Sequence, residues 1–322
     1  MNAYRTLLKI CRHLYFRRRH LGFIPPSPVH WQAGKPAALL NRIVASDRPY
    51  MVARFGSVEM NVLANYFVSG HGFFVLRYIK GEMPFGDWNT DVSDALCSGP
   101  GFFPRGDIEL AERFCTLMLE AIPELDVLGS WLNYEALFDS MHHAQKVHIC
   151  NLEPFDDSGN PWSQHLAGRR VLVVHPFARS ILSQYRNKRE LLFRDKRVLP
   201  EFDLSVLPAV QSIGGNAPAE FRTWFDAYEY MKKRIDATEF DVCLLGCGAY
   251  GFPLAAHIKR TGRQAFHLGG SLQLLFGIKG KRWTEQYGQN NPYLKHFNEH
   301  WVFPSDDERP ADAQKIENAC YW

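Results

Sequence analysis

Acidic residues are absent from residues 1–20, where Arg5, Lys9, Arg12, Arg17, Arg18 and Arg19 all lie. The net charge is +3, so this segment carries +6 and the rest of the chain −3. That distribution argues against nucleic acid as a partner, because a nucleic-acid binder puts its basic surface on the folded body. Long apolar runs are also missing: nothing approaches the ~18 consecutive apolar residues of a membrane-crossing helix. The seven cysteines (Cys11, Cys97, Cys115, Cys150, Cys243, Cys247 and Cys320) include no CxxC pair. Cys243 and Cys247 read as a buried thiol and a turn thiol rather than zinc ligands. An odd count without framework spacing points to a reducing, cytoplasmic compartment. There is no internal repeat and no low-complexity tract.

What is there divides into two parts. Residues 1–28 form a basic amphipathic segment, in which Leu7, Leu8, Ile10, Leu14 and Tyr15 alternate with cations. Charges interrupt any apolar core, so it does not read as a signal peptide. A helix over residues 4–20 suits an anionic membrane surface at the inner face of the membrane. A solvated or partner-packed helix fits the same residues. Pro25, Pro26 and Pro28 make a short stiff linker. Residues 29–322 read as one domain, long enough and, at 46% hydrophobic residues, apolar enough to bury a large core.

Within that domain, strand and helix patterns alternate. Strands are expected at 49–54, 125–128, 146–150, 169–177, 203–209, 242–245 and 264–267. Helices are expected at 36–45, after Gly56, at 107–121, 178–192 and 218–236, and after each of two glycine turns near the C-terminus. The fold class is α/β: a doubly wound, mostly parallel, Rossmann-like sheet with helices on both faces. Residues 71–104, with MPFGDWN and GPGFFP, read as a loop-rich aromatic insert, either a lid or a packed plug.

The stretch DVCLLGCGAYGFPLAAHIKRTGRQAFHLGGSLQLLFGIKGKRW (241–283) is the most informative. Gly246, Gly248 and Gly251 follow a buried strand and precede a helix, whose free N–H groups suit phosphate. Gly269 and Gly270 form a second turn after His267, with Tyr250 and Gln273 nearby. The basic tip Lys279, Lys281 and Arg282 could meet a diphosphate. Trp283 could stack on a base or sugar ring, or plug the core. Such turns also occur without ligands, so the glycines alone decide nothing.

Two other strand ends aim at the same edge. Arg54-Phe55-Gly56-Ser57-Val58-Glu59 passes from strand to helix. Glu59 in a first turn is ordinary dipole chemistry, but Arg54 and Glu59 together could hold a diphosphate and a divalent ion or a sugar hydroxyl. His175 ends the third strand end, and Arg179 and Ser180 open the next helix, where a cation and free N–H groups suit an anion. A capped turn histidine is the competing reading of His175.

RFGSVE, LLGCGAYGFPLA and AFHLGG together resemble the bacterial GT-D-type glycosyltransferase group, known for an RFGDGE-like motif containing Asp-x-Glu. The tail IENACYW and LEPFDDSGNPW (152–162) look like features of an uncharacterised branch. The resemblance covers roughly residues 49–283. It implies transfer of a sugar from a nucleotide-sugar donor, UDP-linked, to a glycan, lipid-linked or protein-linked acceptor, assisted by manganese or magnesium and by no organic cofactor. Glu59 is the acid retained, while Ser57 stands where the group has Asp. A metal would therefore bind weakly or only with the nucleotide. Without one, Arg54 and the Lys279–Arg282 cluster could neutralise the leaving diphosphate. Candidate bases are Glu153, Asp156, Asp157 and His267, unranked.

Two other functions fit parts of the chain. LLGCGAYG superficially resembles the cofactor loop of an S-adenosylmethionine-dependent methyltransferase. That loop normally opens its domain, whereas here only the last quarter of the chain follows it, and His267 stands where a ribose-binding acid is expected. Ser57 is the feature most compatible with a non-catalytic nucleotide-sugar-binding protein.

Overall fold

The computed structural model describes residues 3–19, 36–69, 74–80, 90–155, 159–212, 217–285, 291–310, 313–315 and 319–322. The proline linker, MPFGDWN, Asp156 and Asp157 lie outside these. The elements in chain order are α1 (Ala3–Arg19), α2 (Pro36–Val44), β1 (Met51–Ala53), α3 (Ser57–Ser69), α4 (Phe74–Ile79), α5 (Thr90–Ser98), α6 (Ile108–Ala121), β2 (Val127–Ser130), β3 (Gln145–His148), β4 (Arg170–His175), α7 (Ala178–Leu192), β5 (Asp203–Pro208), α8 (Trp224–Asp236), β6 (Val242–Leu245), α9 (Gly251–Arg260), β7 (Gln264–His267), α10 (Leu272–Leu275) and α11 (Lys281–Thr284). Short 3-10 turns join many of them.

The seven strands form one sheet in the order β3-β2-β1-β7-β6-β4-β5, and every pairing is parallel. The expected α/β, doubly wound, Rossmann-like class is what the chain adopts. Strand residues alternate strictly between two cores. Met51, Ala53, Leu128, Leu172, Val174, Cys243, Leu245 and Ala265 pack with α3, α6, α8 and α9 on one face. Val52, Val127, Val147, Val171, Val173, Val242, Leu244 and Phe266 pack with α2, α7 and α10 on the other. Both faces are covered, which is why β4 and β6 read as continuous apolar runs.

Capping sets the helix starts. Asp107 accepts the Leu110 N–H at 2.9 Å and opens α6. Thr223 and Asp226 form a reciprocal box that starts α8 at Trp224, several residues later than the pattern from Pro218 suggests. The insert departs from the loop-rich expectation, because α4 and α5 lie within it. GPGFFP is a packed plug: Phe102 is buried with its ring centroid 5.4 Å from Phe114 and 5.7 Å from Trp224.

This topology places the site. The chain leaves β4 through α7 toward one face and leaves the adjacent β6 through α9 toward the other. Where neighbouring strands send their connections to opposite faces, a crevice opens at their carboxyl ends.

Candidate active site

A cleft of about 660 Å³ lies at that crevice and collects residues from the carboxyl ends of all seven strands. It holds Arg54, Gly56, Ser57 and Glu59 after β1, Trp131 after β2, Cys150 and Glu153 after β3, and His175 at the end of β4. Ser212 follows β5, Gly246 to Tyr250 follow β6, and Gly269, Gly270, Gln273, Arg282 and Trp283 follow β7. The three separated motifs thus meet.

The cleft glycines are best understood through what lies on them. A Cβ on Gly56 would meet the Glu59 carboxyl carbon at 2.5 Å, and one on Gly269 the Arg54 Nε at 2.6 Å. A Cβ on Gly246 would meet His175 Cδ2 at 2.5 Å, one on Gly251 the His267 Nε2 at 2.9 Å, and one on Gly270 the Tyr321 hydroxyl at 3.3 Å. Each of these glycines provides a flat seat for one side chain. Gly246 also gives its own N–H to the Val174 carbonyl at 3.0 Å, so that donor belongs to the sheet and not to a phosphate.

Arg54 is half-buried and donates through Nη1 to the Phe55 carbonyl at 3.0 Å. Its buried Nε has no hydrogen-bond partner. Glu59 lies across Gly56, and burial pushes its pKa up, against the opposing pull of the nearby Arg54 charge and its own backbone N–H. Gln273 is fully buried and donates through Nε2 to the carbonyls of Lys279 at 3.0 Å and Tyr321 at 3.2 Å, while its Oε1 is buried without a partner. A buried polar atom left unpaired costs on the order of 1–3 kcal/mol unless something fills the place.

Two histidines stand at the cleft floor. His175 accepts the Phe177 N–H at Nδ1 at 3.0 Å. His267 pairs through Nδ1 with the Leu245 carbonyl at 3.1 Å, so Nδ1 carries its proton and Nε2 has the free lone pair. Burial pushes both imidazoles down to about 3, and for His267 the Arg54 charge adds to the effect. Groups of that pKa are weak bases at neutral pH.

Other expected residues sit elsewhere. Arg179 and Ser180 do not line the cleft. Their N–H groups, at the start of α7, point at the carboxylate of Glu308, which takes the Arg179 N–H at 2.7 Å and also the Ser180 hydroxyl. The Arg179 side chain pairs with Asp307. The helix start does bind an anion, but one supplied by this chain. The basic tip divides. Arg282 lines the cleft with its guanidinium 4.5 Å over the Tyr321 ring, whereas Lys279 lies 5.2 Å over Phe303 and Lys281 is outside the cleft. Trp283 is buried at the cleft wall. Tyr250 gives its ring to a stack 4.6 Å from Trp224 and pairs its hydroxyl with Ser212 at 3.1 Å.

Sequence reasoning missed Trp131, Tyr321 and Trp322. Trp131 is 38% exposed at the cleft rim, pinned by Nε1 to the Phe55 carbonyl at 3.0 Å and by its N–H to Glu135 at 3.2 Å. Tyr321 and Trp322 also line the cleft, and Trp322 Nε1 donates to the Glu308 carbonyl at 3.3 Å. A tryptophan directly after a strand was the available signal for the first.

The donor set of the described residues does not fit a protein-held divalent ion. Among the described residues no three His, Cys, Asp or Glu side chains converge. Ser57 is exposed at the start of α3, and the one carboxylate beside it is folded over Gly56. A hydroxyl and a single carboxylate are too few hard ligands for manganese or magnesium.

No protein-family model matches the chain, and no curated protein matches it. Among solved structures, the chain is similar to a selenomethionine-substituted structure of domain of unknown function 1792. That similarity has 12% identity and a TM-score of 0.42, and covers 91% of this chain and 98% of that one.

Proposed function

We propose that the chain is a glycosyltransferase that moves a sugar from a nucleotide-sugar, UDP-linked, to an acceptor hydroxyl on a glycan, lipid-linked or protein-linked acceptor. The observation that carries this reading is the Arg54 guanidinium in the cleft, with a buried Nε lacking a partner. A desolvated cationic donor calls for an anionic oxygen, and a diphosphate supplies one. The resemblance of RFGSVE, LLGCGAYGFPLA and AFHLGG to the GT-D group supports the same reading.

In this mechanism Arg54 and Arg282 take up charge on the departing diphosphate as its bond to the anomeric carbon breaks. The acceptor oxygen forms the new bond to that carbon, and its proton passes to Glu59. Glu59 suits the role better than His267, because its raised pKa makes the carboxylate more basic. Trp131 offers an aromatic face at the rim for a sugar or base. Any manganese or magnesium would enter with the nucleotide's phosphates and not on a preformed protein site.

The test is a thermal-shift titration with UDP, UDP-sugars and S-adenosylmethionine, each with and without manganese. A ligand that binds only the folded state raises the melting temperature by mass action. Stabilisation by UDP-sugars that disappears in Arg54→Ala is the expected result. Stabilisation by S-adenosylmethionine alone would overturn it in favour of a methyltransferase. UDP-sugar binding without sugar release in any acceptor assay would leave a non-catalytic binding protein.

A further inference from the structure

The helix α1 packs by one side only and leaves several large apolar residues exposed. Leu8 is buried, and Arg12 lies with its guanidinium 4.6 Å over the ring of Tyr78 on α4, so one side of α1 packs on the body. The other side exposes Leu7 at 57%, Ile10 at 50% and Leu14 at 53%, and Tyr4, exposed at 45%, lies at the edge between the two. Leu7, Ile10 and Leu14 follow one another at three- and four-residue steps and share one face. Four of the eleven large hydrophobic residues most exposed in the described structure lie on this helix. Beside them runs a second exposed row at four-residue steps, Lys9, His13 and Arg17, with Arg18 at the C-terminal end. No acid occurs on α1, although the rest of the chain is net negative.

We infer that α1 is a peripheral docking surface for an anionic phospholipid bilayer. An apolar stripe flanked by cations is the pattern of a helix lying in the plane of a lipid interface, with its side chains in the acyl boundary and its cations at the headgroups. The charge pattern selects this occupant. A second copy of the chain would bring two acid-free basic rows together, whereas anionic headgroups neutralise them. No described helix is long and apolar enough to cross a membrane, so the contact is with the surface. The inference is independent of the chemistry in the cleft. It also fits a lipid-linked acceptor, since α4, on which α1 packs, belongs to the insert whose end, Ser98 to Pro100, lines the cleft.

The test is co-sedimentation of the full-length chain with phosphatidylcholine vesicles, with and without one third phosphatidylserine, at low and high salt. The wild type should bind the phosphatidylserine vesicles at least about tenfold more tightly than the neutral ones and lose that preference in high salt. The exposed substitutions Leu7→Glu with Leu14→Glu should reduce binding to the neutral-vesicle level without changing the melting temperature. Lys9→Glu with Arg17→Glu should do the same through charge alone. Wild-type protein that stays in the supernatant overturns the inference. So does equal binding to both vesicle types, or a solution dimer that Leu7→Glu with Leu14→Glu dissociates in the absence of vesicle binding.

Discussion

The guanidinium of Arg54 lies flat on the α-carbon of Gly269, so close that a methyl group there would sit 2.7 Å from Cζ. Gly269 also has φ of +68°, a conformation that costs an L-residue about 1–2 kcal/mol. Gly269→Ala should therefore lose stability and displace Arg54 together. Gly262 is the control: its φ is +82° and its side-chain space is open. Gly262→Ala should lower the melting temperature through the backbone strain alone, by less than Gly269→Ala, while keeping stabilisation by UDP-sugars, which Gly269→Ala should lose. Equal ligand responses in the two variants would remove Arg54 from the binding site.

That contact explains why the site was only partly legible in the sequence. The hydrophobic pattern located all seven strands, because buried parallel strands such as Val171–Val174 and Val242–Leu245 leave unmistakable apolar runs. It also identified the three strand ends that meet. What each glycine was for could not be read locally. Gly246 and Gly251 looked like a phosphate loop, yet they seat His175 and His267, which come from other strands. The anion at the α7 start was physically sound, but its source, Glu308, lies 128 residues from Ser180. Short helices such as α4 have too few turns for a periodicity to emerge. Trp322 reaches the cleft from the far end of the chain, and no spacing rule connects it to Phe177.

Glu59 is predicted to separate binding from turnover. Glu59→Gln keeps the shape over Gly56 and removes the negative charge. It should leave UDP-sugar affinity within about threefold and lower the turnover rate by roughly 10²–10⁴, the usual contribution of a general base. Because burial raises the pKa of Glu59, the acid limb of the wild-type rate profile should lie above the ordinary carboxylate value of 4.5. A variant that retains full turnover would assign the base elsewhere, with Glu153 at the cleft the next group to replace.

His175 makes stability sensitive to acid. Its folded pKa of about 3 lies below the ordinary 6.5. Above the ordinary value the imidazole is neutral in both states and contributes no pH dependence. As the pH falls below it, the unfolded chain takes up a proton that the folded chain refuses. Stability then declines by about 1.4 kcal/mol per pH unit until the folded pKa is reached. His175→Asn keeps a side-chain acceptor for the Phe177 N–H and removes the titration. Between about pH 6 and about pH 4 the wild type should lose roughly 2 kcal/mol more unfolding free energy than the variant. His267 and the carboxylates are common to both proteins and cancel in the difference. Parallel stability curves would mean that His175 is already accessible to protons in the folded state.

The C-terminal residues are predicted to divide between binding and stability. Trp322 is buried, with its ring 5.7 Å from Phe177 and its Nε1 on the Glu308 carbonyl. Trp322→Ala should cost about 3 kcal/mol or more, as large aromatic deletions from cores do. It should also loosen Glu308, whose carboxylate caps α7. Tyr321 is half-buried and rests on Gly270 beneath the Arg282 guanidinium, so its ring lines the cleft at the edge of the core. Tyr321→Ala should lower the melting temperature less than Trp322→Ala does and weaken UDP-sugar binding, because Arg282 loses the ring beneath it. Tyr321→Phe, which keeps the ring face, should restore binding if the cation–π contact is what matters. Arg282 also reaches the Cys320 thiol through Nη2 at 3.4 Å, so a Tyr321→Ala variant that binds as tightly as wild type would show that the Tyr321 ring is not what aims Arg282 and that the tail closes the core without shaping the site.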